Sequence, residues 1–144
     1  MDKRDRDLHL TVRSDPKLLA SVRSLVRGWV DSWDVEGKIA DQVVLAIDEA
    51  CTNAIRHAYE GRCDGSVELT LQAGREYLEF QVSDTGVSCP PECTERRPLQ
   101  ALDGDDLEPG GLGIQLIHEV FDEVDFCPGE SGGNCITMKL KRLK

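Results

Sequence analysis

The spacing of apolar residues changes period along this chain, and that change limits what it can fold into. Leu8, Leu10 and Val12 alternate with His9, Thr11 and Arg13, the two-residue repeat of a half-buried strand. The repeat then lengthens to three and four. Leu18, Leu19, Val22, Leu25, Val26, Trp29, Val30 and Trp33 form one helical stripe, with Ser14 or Asp15 as cap and Pro16 in the first turn. Arg23 and Arg27 share the outer side of that helix and read as a solvated face. After a break at Asp34 to Gly37, a second helix runs from about Lys38 to Tyr59, with Ile39, Val43, Ile47, Ala50, Ala54 and Ala58 inward. Gly61 ends it, as glycine commonly does. Alternation returns in 66–73 and 76–83, around a hairpin turn at Gly74-Arg75. A third helix carries Ile114, Ile117, Val120 and Phe121, and two last strands, about 123–127 and 134–140, flank the glycine-rich turn 129–133.

Strands in adjacent pairs with helices between the pairs imply an α+β two-layer sandwich, not a doubly wound sheet. A chain of 144 residues fits one domain, with residues 1–144 as a single unit. Between Thr85 and Gly110 the periodicity disappears and prolines and charges accumulate, so residues from about 87 to 110 are expected to form a lid. Lys and Arg number 17 against 27 Asp and Glu, a formal charge of −10. That surface repels phosphate backbones, which excludes direct nucleic-acid binding, and suits docking against a basic protein face. The charged N-terminus carries no apolar signal stretch and no run is long enough to span a membrane, so a cytoplasmic location is expected. Of six cysteines, Cys51 and Cys127 sit in apolar patterns and read as core, while Cys63, Cys89 and Cys93 fall in turns. Cys89 and Cys93 have no second pair at zinc-finger spacing.

Three short motifs have chemistry in them. Glu49, Asn53 and His57 are spaced by four and stack along one side of the second helix. Asparagine is a poor helix former, and its amide oxygen suits hard Mg²⁺, with a carboxylate one turn earlier to orient a nucleophile or take its proton. Val82-Ser-Asp84-Thr-Gly86 ends an apolar strand in a carboxylate and a glycine turn, able to accept a hydrogen bond from an amino group such as that of adenine. Gly110-Gly111-Leu112-Gly113 opens a helix, where glycines admit a phosphate chain to free backbone N–H groups.

In this order, the motifs resemble the ATP-binding domain shared by histidine kinases and type II topoisomerases (the GHKL, or Bergerat, fold), which implies a mixed, largely antiparallel sheet. Within it, Glu49-Ala-Cys-Thr-Asn53-Ala-Ile-Arg-His57-Ala-Tyr59-Glu60 looks like the first box of anti-sigma factor serine kinases of the RsbW type. Gly110-Gly-Leu-Gly-Ile114 with Phe121-Asp-Glu-Val124 looks like their later box, and the resemblance runs from Leu8 to Leu140. It implies ATP or ADP with Mg²⁺ as cofactors, Asn53 as Mg²⁺ ligand and Glu49 as catalytic carboxylate. It further implies that Asp84 reads the adenine amino group beside Gly86, and that Gly111, Leu112 and Gly113 surround the phosphates. Two departures stand out. The second glycine usual after Asp-x-Gly is absent, since Asp84-Thr-Gly86 continues Val87-Ser88-Cys89, and Asn134 stands where many relatives have threonine after glycine, keeping a hydrogen-bonding side chain.

The function so implied is a serine-protein kinase and anti-sigma factor. It would bind a sigma factor, phosphorylate a STAS-domain anti-anti-sigma partner and pair as a homodimer. A module that sequesters a partner without transfer is the alternative. A detached histidine-kinase catalytic domain ranks lower, because His9, His57 and His118 are the chain's histidines and none lies on a separate phosphoacceptor hairpin.

Overall fold

Strand alternation decides which side chains meet the helices. The computed structural model describes residues 8–60, 63–86, 111–128 and 133–142. In it β1 (Leu8–Arg13), β2 (Ser66–Ala73), β3 (Tyr77–Asp84), β4 (Glu123–Pro128) and β5 (Asn134–Lys141) form one sheet in the order β1-β2-β3-β5-β4. All its ladders are antiparallel. Few residues separate β2 from β3 and β4 from β5 along the chain, and each of these neighbouring pairs forms an antiparallel ladder of the sheet. Residues 87–110, expected to form a lid, lie outside the described residues, as do Cys89 and Cys93.

The helices cover one face. A 3₁₀ turn (Pro16–Leu18) leads into α1 (Leu19–Asp31), and of the two candidate caps Asp15 is the one used, accepting the Lys17 N–H at 3.0 Å. Ser14 is instead buried and ties two strands together. Its N–H donates to the Gly65 carbonyl at 2.9 Å, and its hydroxyl accepts the Gly65 N–H at 3.1 Å. Helix α2 (Gly37–Asn53) is shorter than its apolar period suggests, because a π turn (Ala54–Ala58) takes over and the Tyr59 N–H reaches back to the Ala54 carbonyl. The α-helical register relating Glu49 to Asn53 therefore stops before His57.

Val22, Val26 and Val30 of α1 pack with Val43, Ala46, Ile47 and Ala50 of α2 in a common core. The outer arginines are more than a solvated face: Arg23 bridges to Asp48 at 2.9 Å, and Arg27 pairs with both Asp31 and Asp41, so they span the two helices. Over the sheet centre, Phe80 is fully buried, with ring centroids 5.6 Å from Trp29 and 5.5 Å from Phe121. One aromatic cluster thus fastens α1 and the end of α3 (Gly111–Val120) to β3. Cys51 is buried as its pattern implies, whereas Cys127 is exposed. On edge strand β4, Val124 and Phe126 pack against the core, so the two-residue period turns Asp125 and Cys127 outward.

Candidate functional site

Asp84 is the last residue of β3 and continues the inward phase of Leu78, Phe80 and Val82. The pleat therefore aims its carboxylate into the helix layer, and the residue is only 8% exposed. Register supplies the partner, since Asp84 lies directly opposite Asn134 of β5. The Asn134 amide donates to Asp84 Oδ1 at 3.1 Å, and the Gly86 N–H donates to the same oxygen at 3.0 Å. Burial pushes the Asp84 pKa up, and these donors with the Asn134 backbone N–H pull part of the way back. A carboxylate offers about four acceptor sites. Three donors are in place, which leaves room for one more. An amino group on a flat heterocycle meets that need.

Gly133 closes this end of the sheet. Its φ of +84° belongs to the left-handed region, and a Cβ there would overlap the Asp84 carbonyl and come within 2.6 Å of Thr85 Cα. Only glycine lets β5 start this close to the Asp84 turn. Tyr59, directly after the π turn, reaches the same place from the helix layer. Its hydroxyl donates to the Ser66 carbonyl at 2.6 Å and accepts the Thr85 N–H at 2.9 Å.

The second half of the site lies between α2 and α3. Gly113, in the first turn of α3, packs directly on Glu49: a Cβ at 113 would overlap the Glu49 carboxylate and lie 3.1 Å from its Cδ. The glycine-rich helix start and the helix carboxylate, far apart in sequence, are thus neighbours. Gly111 opens α3, Leu112 is placed by its backbone, and Gly110 lies outside the described residues. One turn beyond Glu49, the Asn53 amide is buried, and neither its oxygen nor its nitrogen has a hydrogen-bond partner among the described residues. Leaving such a group unmatched costs about 1–3 kcal/mol. A hard cation would satisfy the amide oxygen, so Asn53 fits the Mg²⁺ role.

The structure thus gathers the expected residues into two groups, Glu49, Asn53 and Gly113 on the helices, and Asp84, Gly86 and Asn134 at the sheet end. The π turn packs over β3 between them. The His57 side chain lies outside the described residues, and the His118 ring sits 5.8 Å from that of Phe126 on β4. Gly133 and Tyr59 join the site without a strong signal of their own. What marked them was a glycine just before the residue facing Asp84, and an aromatic ending a helix of small side chains. Among the described residues, no helix is long and apolar enough to cross a membrane.

The sequence pattern of the histidine kinase-like ATPase domain matches residues 12–140. The chain is 30% identical to the serine-protein kinase RsbW of Halalkalibacterium halodurans, over 82% of this chain and 74% of that protein. It is 35% identical to the serine-protein kinase RsbW of Listeria monocytogenes over 58% of this chain, and spans 55% of that protein's length. The fold matches a crystal structure of the RsbU and RsbW domains of a Mycobacterium tuberculosis protein, with a TM-score of 0.61 at 19% identity. That match covers 93% of this chain and 31% of the other.

Proposed function

The chain belongs to the histidine kinase-like ATPase domain family, and from that premise we propose that it is a serine-protein kinase and anti-sigma factor. In this reading it binds ATP with Mg²⁺, transfers the γ-phosphoryl group to a serine of a STAS-domain partner, and alternates between that partner and a sigma factor. The observation that carries the proposal is the buried Asn53 amide, unmatched among the described residues and one turn from Glu49, which packs on the glycine-rich start of α3. A purely structural helix contact has no use for an orphaned amide there.

Each residue then has a task. Asp84 accepts the adenine amino group while Asn134 and Gly86 hold its carboxylate. Gly111, Leu112 and Gly113 present backbone N–H groups at a helix N-terminus, where the dipole favours phosphate. Asn53 offers its oxygen to Mg²⁺. When bound, the metal neutralises charge on the phosphate chain. Glu49 orients the incoming serine hydroxyl and takes its proton. The phosphate added to the partner weakens that complex by placing charge in the interface.

Calorimetric titration with ATP and ADP, with and without Mg²⁺, tests the site. Mg²⁺-dependent binding that disappears in Asn53→Ala is expected. Failure of well-folded protein to bind either nucleotide sinks the proposal. Incubation with a STAS domain and labelled ATP tests transfer. Nucleotide binding without any transfer to a panel of STAS serines would leave a module that sequesters its partner.

A further inference from the structure

We infer that Tyr59 is a positioning residue for base recognition: its hydroxyl fixes the Asp84-Thr85-Gly86 turn and so sets the preference for adenine over other purines. The inference rests on the reading of Asp84 as the residue that meets the adenine amino group.

The argument begins with backbone accounting. Thr85 follows the last residue of β3, so its N–H has left the sheet ladder and takes its partner from outside the sheet. The Tyr59 hydroxyl is that partner, accepting the bond at 2.9 Å. A phenol oxygen that accepts still has a proton to donate, and this one goes to the Ser66 carbonyl at 2.6 Å, at the start of the neighbouring strand β2. The Thr85 hydroxyl lies 3.3 Å from the same oxygen. One atom therefore holds the turn against β2 from the helix side, while Asn134 holds Asp84 from the β5 side.

The ring itself is fixed. Tyr59 is 4% exposed, and Gly65 lies against it so closely that a Cβ at 65 would come within 2.5 Å of Cδ1 and 2.6 Å of Cζ. Such a ring cannot swing aside without moving Gly65, which Ser14 holds through two hydrogen bonds. The π turn that delivers Tyr59 begins directly after Asn53. Such turns often occur at functional sites. Here the turn carries the chain from the cation-binding amide to the residue that braces the base-reading turn.

Tyr59→Phe tests this, because it keeps the ring and removes one oxygen. The probes are ADP and IDP, which differ in the purine 6-substituent, amino against oxo. A net hydrogen bond corresponds to a few-fold change in affinity. In Tyr59→Phe, ADP affinity is expected to fall about fivefold while IDP affinity stays within about twofold, so discrimination contracts. Gly65→Ala, which displaces the ring, is expected to contract it too. Amide exchange at Thr85 should quicken in the ligand-free variant. Val26→Ala, a core change in α1, serves as control and should lower thermal stability without altering the ADP-to-IDP ratio. If the wild type binds ADP and Tyr59→Phe keeps the wild-type ratio, the role of Tyr59 is overturned. Equal weakening of both nucleotides overturns it as well by reducing Tyr59 to a packing residue. Wild-type protein that shows no preference for ADP fails earlier, at the Asp84 reading itself.

Discussion

Asp84→Asn separates what the folded chain needs from what a nucleotide needs, because the two demands on this carboxylate have opposite signs. Burial raises its pKa above the usual 3.8. Between 3.8 and that raised value the folded protein keeps a proton that the unfolded chain has released, so acid favours folding across the window. Stability therefore falls as pH rises through it, and at neutral pH the buried charge is a cost to the ligand-free protein. Asparagine removes the charge and keeps an oxygen for the Gly86 N–H and the Asn134 amide, which both use Oδ1 at 3.0 and 3.1 Å. The urea midpoint of the variant at pH 7 should therefore equal or exceed that of wild type, and its acid-side slope should flatten. Binding should move the other way. The remaining acceptor site becomes an N–H facing the adenine amino group, and a charge-assisted hydrogen bond is lost. At about 1.5–3 kcal/mol for such a bond, ADP affinity should drop between about tenfold and 150-fold. Paired urea titrations and calorimetry check both signs. A variant less stable than wild type at pH 7, with ADP affinity unchanged, would refute the reasoning at both steps.

Further outcomes follow from single contacts. Gly113→Ala should melt within a few degrees of wild type, since the helix-propensity gain of about 1 kcal/mol offsets part of the strain, yet displace the Glu49 carboxylate and abolish phosphoryl transfer. Asn53→Ala should raise the urea midpoint of the ligand-free protein, because it removes an unmatched buried amide and installs a better helix former, while Mg²⁺-dependent binding disappears. Phe80→Ala should cost about 3–5 kcal/mol in denaturant unfolding, as it empties the contact between Trp29 and Phe121. Under native conditions a maleimide should modify exposed Cys63 and Cys127 and spare Cys51, whose thiol burial pushes up to about 12; mass spectrometry of the labelled peptides reports this.

The elements were legible in the sequence because period is a local property. A two-residue repeat can bury only one face of a strand, and a repeat of three to four only one stripe of a helix, whatever lies elsewhere. That is why β1, β2 and α1 were readable, and why Glu49 and Asn53 could be placed on one helix side. Local reading failed where a neighbour had the deciding vote. Cys127 looked apolar in context but sits on an edge strand whose inward phase belongs to Val124 and Phe126. The helix read through to Tyr59 changes to a π turn at Ala54, a difference in hydrogen-bond pattern that leaves no mark on the apolar spacing.

Sequence by itself determined the α+β order and the motifs with chemistry in them, since both are written in spacing along one segment. Only tertiary structure decided which motifs face each other. Asp84 meets Asn134 because β5 enters the sheet beside β3, and Gly113 meets Glu49 because α3 packs on α2 without a Cβ between them. Those pairings depend on register and on close approach between distant segments, and local periodicity encodes neither.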